Sequence, residues 1–135
     1  MPPLSTYFVR LALANLAVGI TAGAFMLANK GVPFAAWLWR LRSAHIELLL
    51  VGWLMQLAMG VVFWIAPRFW LPPARGNVTG ARLALFLLNA GVWTVVTSTY
   101  FGMRAEFVFA GRLLELSAAV AFTLHLWPRI VSREG

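Results

Sequence analysis

From Tyr7 to Trp127 the chain alternates four long apolar stretches with short breaks, and most of its arginines and prolines fall in or beside the breaks. A run of about 20 apolar residues matches the hydrocarbon thickness of a bilayer. The pattern therefore predicts transmembrane helices over about 7–29, 43–66, 81–101 and 107–127. Within the first, Ala12, Asn15, Gly19, Ala22, Gly23 and Met26 recur at helical spacing, and Gly19 with Gly23 forms a small-residue pair that admits a neighbouring helix. A signal peptide is the competing reading of this stretch, and its length favours a span. In the second, steps of three, four and seven place His45, Leu49, Gly52, Gln56, Met59 or Gly60, and Phe63 on one stripe. Glu47 lies about 200° around the helix from His45 and is expected near the interface, reaching toward Arg40 or Arg42. The third span holds Asn89, Thr94, Thr97 and Ser98, which can bond across helices or to their own backbone. In the fourth, Arg112 and Glu115 are spaced to pair, and Pro128 is expected to stop the helix before Arg129 and Arg133.

The breaks are short. Residues 30–42 carry Gly31, Pro33 and the aromatics Phe34, Trp37 and Trp39, a loop with a surface helix as an alternative. Pro72, Pro73, Gly76 and Asn77 are turn residues. A weak echo relates Arg10–Gly19 to Arg82–Gly91 and Arg40–Leu41 to Arg112–Leu113, suggesting a duplicated helix pair in which Ser117 stands opposite His45. Chance similarity between Leu- and Ala-rich spans is the competing explanation.

Composition sharpens the class. The chain has 135 residues, 61% hydrophobic, with mean hydropathy +0.81 and only four acidic residues, well above the apolar share of a soluble domain. An all-α integral membrane protein with a single four-helix domain follows, and any site must lie in the membrane or at its faces. The net charge of +7 sits at the span ends, so it reads as membrane anchoring and not as nucleic-acid binding. Six Lys or Arg on the side of the amino terminus against five on the other place that terminus inside. With no cysteine, thiolate-bound metals and disulfides are excluded, and histidine leads the remaining ligands.

Two histidines are present, and topology separates them. His45 begins the second span and His125 ends the fourth, which runs in the same direction, so they lie near opposite faces. They cannot share one haem within a chain. His125, beside Trp127 and Pro128, reads as an interfacial residue. For His45 a bond to a neighbouring helix competes with ligation, and spacing alone does not decide between them.

The stretch R-L-R-S-A-H-I-E-L-L-L-V-G-W-L-M-Q-L-A-M-G-V-V-F-W-I-A-P-R, from Arg40 to Arg68, resembles the second helix of subunit I of the haem-copper oxygen reductases and nitric oxide reductases. The R-x-x-H-I, G-W, M-G and A-P-R elements carry the likeness, over about a quarter of the chain. The resemblance implies that His45 is an axial ligand of a haem, of b type, and that the chain corresponds to one of the three four-helix arcs of the twelve-helix subunit, which a homotrimer would complete. Arg40 and Arg42 are then placed to meet haem propionates, and Gly52 and Gln56, with Gly60, to line the porphyrin's side of the helix. The copper-site histidine pair of that family is missing, so oxygen reduction is not expected. Electron transfer, or haem or gas binding, in a bacterial or archaeal inner membrane is the expectation. Two other readings stand beside it: a small proton- or cation-coupled oligomeric transporter using Glu47 or Glu115, and a structural subunit of a respiratory complex.

Overall fold

The computed structural model describes residues 1–69 and 75–131, and these form four helices long and apolar enough to cross a membrane. Helix α1 is Pro3–Gly31, α2 is Ala36–Ile65, α3 is Thr79–Phe101 and α4 is Ala105–Val131. Each predicted span is present and longer than expected. The turn expected at Pro72 and Pro73, and Arg133, lie outside the described residues.

The extra turns have local causes. Proline at the first helical position loses no hydrogen bond, so α1 starts at Pro3 and not at Tyr7. At its other end the Asn29 side chain accepts from the backbone N–H groups of Phe34 and Ala35, at 3.0 and 2.8 Å, and folds the chain directly into α2. The expected loop before Arg42 is therefore only residues 32–35; a 3₁₀ turn, Ala36–Arg40, already belongs to the second helix. Just before α3 the Asn77 side chain turns the chain by accepting from the Thr79 N–H at 2.9 Å. Gly102, at φ +63°, ends it in the left-handed conformation that glycine adopts without strain. Pro128 does not stop α4, which runs on to Val131. Arg129 holds the continuation by bonding three backbone carbonyls at the end of α2.

Helix α1 packs along α2, α3 along α4, and α2 closes the bundle against α3. The core joins Phe8 of α1, Met59 and Phe63 of α2, Leu88 of α3 and Ala118, Phe122 and Leu126 of α4. Phe8 meets Phe122 edge to face at 5.9 Å between ring centres. Large apolar side chains such as Leu27, Phe86 and Leu124 point outward, as hydrocarbon-facing positions do. The pairing of α1 with α2 and of α3 with α4 is what a duplicated helix pair would give. The polar interior is not repeated, because the echo sets Asn15 against Leu87 and Gln56 against Pro128.

Between α1 and α2 the contact is polar in a regular way. The Ser5 hydroxyl donates to the Gly60 carbonyl at 2.5 Å, Gln56 Nε2 to that of Phe8 at 3.3 Å, Asn15 Nδ2 to that of Gly52 at 2.9 Å, and His45 Nδ1 meets that of Gly19 at 2.7 Å. Side chains of both helices thus bond the other's backbone along the whole crossing, which hydrocarbon favours over unpaired groups. Alongside, α2 widens into a π-helical stretch, Leu48–Met55. Asn15 takes a carbonyl from the middle of that stretch, the kind of side-chain insertion that accompanies irregular helical hydrogen bonding. The threonines and serine of the later spans bond mostly to their own helices, as Thr94 to Ala90 and Ser117 to Leu113 show.

Gly91 and Gly111 face each other across the α3–α4 crossing. A methyl group at residue 91 would lie 2.8 Å from the Gly111 carbonyl oxygen, 3.0 Å from the Glu115 amide nitrogen and 2.7 Å from its Cγ. Backbone on the opposite helix cannot turn aside, so Gly91→Ala should force the helices apart. Overpacking of up to about 3 kcal/mol outweighs a helix-propensity gain of up to about 1 kcal/mol. A net loss of about 2 kcal/mol should appear in denaturant unfolding followed by tryptophan fluorescence. Gly31→Ala, with nothing within 4 Å of the added atom, should cost nothing measurable.

Candidate functional site

His45 sits at the first full turns of α2, half-buried against α1. Gly19 and Gly23 are one α1 turn apart: Gly19 admits Leu48 and Leu49 of α2, and Gly23 leaves the space the imidazole ring occupies. A methyl group on Gly23 would come 2.6 Å from Cε1, 3.0 Å from Nδ1 and 3.4 Å from Nε2. Because Nδ1 faces a carbonyl oxygen, it must carry the proton and donate it to Gly19 at 2.7 Å. In the neutral ring Nε2 then keeps its lone pair, which is the tautomer a metal-binding imidazole needs. The small-residue pair foreseen in α1 therefore does two things: it brings the helices close and it seats the histidine.

The rest of the stripe is placed differently from the porphyrin-lining role given to it. Gly52 meets Asn15, whose side-chain atoms would lie 3.0–3.1 Å from an added methyl group, and Gly60 meets Phe8 Cβ at 2.7 Å. Gln56 is fully buried, donating to Phe8 O, with its Oε1 buried and unpaired. The room these residues make is filled by α1, so they tie the two helices together below His45 and do not face a ligand. Arg40 and Arg42 are exposed at the mouth of α2. Among the described residues no group of three or more His, Asp or Glu side chains could hold a metal ion.

Glu47 faces away from His45, as helical geometry requires, but not toward Arg40 or Arg42. It is buried, 4% exposed, and takes both terminal nitrogens of Arg112 from α4, at 2.9 and 2.6 Å. Arg112 Nη1 also donates to Glu115 Oε2 at 2.8 Å, the pair foreseen within α4. One guanidinium thus serves two buried carboxylates. Its Glu115 partner keeps a second oxygen, Oε1, buried and without a hydrogen bond. Nothing in the sequence joins Glu47 to Arg112, 65 residues away.

His125 lies at the far end of the bundle, stacked on Phe63 with 5.5 Å between ring centres. Phe63 is 18 residues beyond His45 in α2, or about 27 Å along a helix, so the two histidines are separated as topology demanded. Around the same Phe63 ring stand Arg129 and Arg75, with guanidinium carbons 5.3 and 5.9 Å from its centre. Burial, and then Arg68, push the Arg75 guanidinium below its usual pKa. Arg129, expected beyond the end of the helix, is only 3% exposed, a burial that the bundle produces.

Comparison with protein-family models, curated proteins and solved structures finds no match to the chain.

Proposed function

We propose that the chain is a membrane haem-binding protein that holds a b-type haem on His45 for electron transfer or gas binding. The observation that carries this reading is the 2.7 Å contact of His45 Nδ1 with Gly19 O: a carbonyl oxygen only accepts, so Nδ1 holds the proton, Gly23 leaves the ring its seat, and Nε2 of the neutral ring has its lone pair for a metal. A haem iron would supply a one-electron couple or an axial position for a gas. The residues present fit one axial bond. Arg40 and Arg42, exposed within two turns of His45, offer the cations that propionates pair with, while Gly52 and Gln56 support the site from behind by fastening α1. His125 is out of reach, so a second histidine would come from another copy, in keeping with a homo-oligomer. The homotrimer, and kinship with one arc of haem-copper oxidase subunit I in a bacterial or archaeal inner membrane, rest on the sequence resemblance.

The test is absorbance. Protein purified from haem-replete cells, or reconstituted with haem in detergent, should show a Soret band with at most one haem per chain. No band by either route would overturn the reading.

A second reading is favoured by one specific observation, the bare Glu115 oxygen beside a shared Arg112. Intramembrane carboxylates in such settings serve proton or cation coupling. In proteoliposomes with an imposed sodium or potassium gradient, this reading expects dye-reported proton movement that Glu115→Gln removes and His45→Ala leaves. Absence of any gradient-driven proton movement in the unaltered protein would reject it.

A further inference from the structure

The end of the bundle opposite His45 holds a cluster that neither reading uses. Its centre is Phe63, 1% exposed, with Arg129, Arg75 and His125 disposed around the ring, the farthest at 5.9 Å. Arg129 has a structural task. Its Nε donates to the Pro67 carbonyl at 2.8 Å and its Nη2 to those of Ala66 and Phe63, at 2.9 and 3.3 Å. These carbonyls lie at the end of α2, where intrahelical partners run out. That task leaves Nη1 over, buried and unpaired.

Arg129 Nη1 is not alone. Arg75 Nε and His125 Nε2 are also buried without a hydrogen-bond partner. Both arginine nitrogens are donors, and His125 Nε2 is one whenever it carries a proton. A buried donor left unmade costs about 1–3 kcal/mol, so the two arginine nitrogens beside one ring, joined by His125 Nε2 when it is protonated, would be expensive unless a single acceptor group served them. No carboxylate among the described residues is at this end: Glu47 and Glu115 pair with Arg112, and Glu106 with Arg104, all toward the other face. The fourth acidic residue, Glu134, is outside the described residues. Arg68 and Arg82 add exposed positive charge nearby in the chain.

Beside the cluster is a cavity of about 240 Å³ lined by Arg75, Asn77, Leu124, His125 and Pro128 among others. It is smaller than the roughly 300–1,000 Å³ of sites for drug-sized molecules, so it suits a compact group with several acceptor oxygens. We propose that this end of the bundle is an anion site that holds a phosphate group, that of an anionic phospholipid headgroup. A tetrahedral phosphate offers oxygens in several directions to guanidinium and imidazole donors, as charge-assisted bonds. The cluster stands at the span ends, at headgroup level, on the face with the larger count of Lys and Arg; by the positive-inside rule this is the cytoplasmic leaflet, where anionic lipids concentrate. The choline of a zwitterionic lipid would meet Arg68 unfavourably. A haem on His45 could not provide the anion, since its site is about 27 Å away.

Native mass spectrometry of the full chain, released from micelles containing phosphatidylglycerol or phosphatidylcholine, tests the assignment. The expected result is retention of phosphatidylglycerol at least about tenfold above phosphatidylcholine. Arg75→Gln and His125→Asn should each weaken it about tenfold, the scale of one charge-assisted bond. Arg129→Gln is unsuited as the deciding variant because it also uncaps α2. Equal retention of the two lipids, or preference for phosphatidylglycerol unchanged in the Arg75→Gln/His125→Asn double variant, would overturn the proposal. Thermal protection by millimolar inorganic phosphate with no phosphatidylglycerol retention would overturn the lipid as the source. Selective retention seen only in Glu134→Gln would show that the chain's own carboxylate fills the site, and would likewise overturn it.

Discussion

His45→Ala is expected to abolish the Soret band of the reconstituted protein, and His125→Ala to leave it unchanged. The two imidazoles are the only ring nitrogens of their kind in the chain, and their surroundings differ in the respect that matters for ligation. At His45 the bond to Gly19 O holds the proton on Nδ1 and frees Nε2 of the neutral ring; His125 is stacked on Phe63 beside two arginines, where a further cation is unwelcome. Gly23→Ala separates ligation from mere presence of the imidazole. The new methyl group would stand 2.6 Å from Cε1, so the ring must rotate out of its seat and lose the Gly19 carbonyl. Loss of an orienting partner typically weakens metal affinity about 10–100-fold, and haem titration should read that range. If Gly23→Ala binds haem as the unaltered protein does while His45→Ala does not, the histidine ligates without the orientation argued for it. If His45→Ala keeps the band, the site is elsewhere.

Legibility in the sequence follows the range of each interaction. The buried face of α1 could be read from spacing alone, because Ala12, Asn15, Gly19, Ala22, Gly23 and Met26 recur at helical steps, and all but the half-buried Gly23 are buried. The stripe on α2 was equally visible as a stripe, but its partner was not. Glycines that look like room for a ligand are also room for another helix, and at Gly52 and Gly60 the occupants are Asn15 and Phe8. The π-helical stretch left no trace, since Leu48–Met55 contains no polar side chain to reveal a change of phase. Glu47 could be directed away from His45 by a 100° step per residue, yet its bond to Arg112 depends on how α2 meets α4. Arg129 and Pro128 were misplaced for the same reason: a proline ends a helix in isolation, whereas three carbonyl bonds from Arg129 carry α4 past it.

Arg112 carries the largest stability expectation. It is the single cation for two buried carboxylates, with Glu47 4% and Glu115 7% exposed. Arg112→Leu would leave both without a charged partner in a medium where an unpaired carboxylate is costly. Breaking a buried pair from one side costs about 3–5 kcal/mol; the Arg112 side chain is itself 49% exposed, so about 3 kcal/mol is the fitting end of that range. That loss should appear as a lowered midpoint in denaturant unfolding in micelles, followed by the fluorescence of the seven tryptophans. The triple variant Glu47→Gln/Arg112→Leu/Glu115→Gln discriminates between charge and packing. Neutral side chains of similar size remove the unpaired charges, so most of the loss should be recovered. If the triple variant is as unstable as Arg112→Leu, the cluster matters for its shape at the α2–α4 contact and not for its charge. Glu115→Gln alone should be nearly neutral, because Arg112 keeps its two bonds to Glu47 and the oxygen without a partner loses its share of the charge.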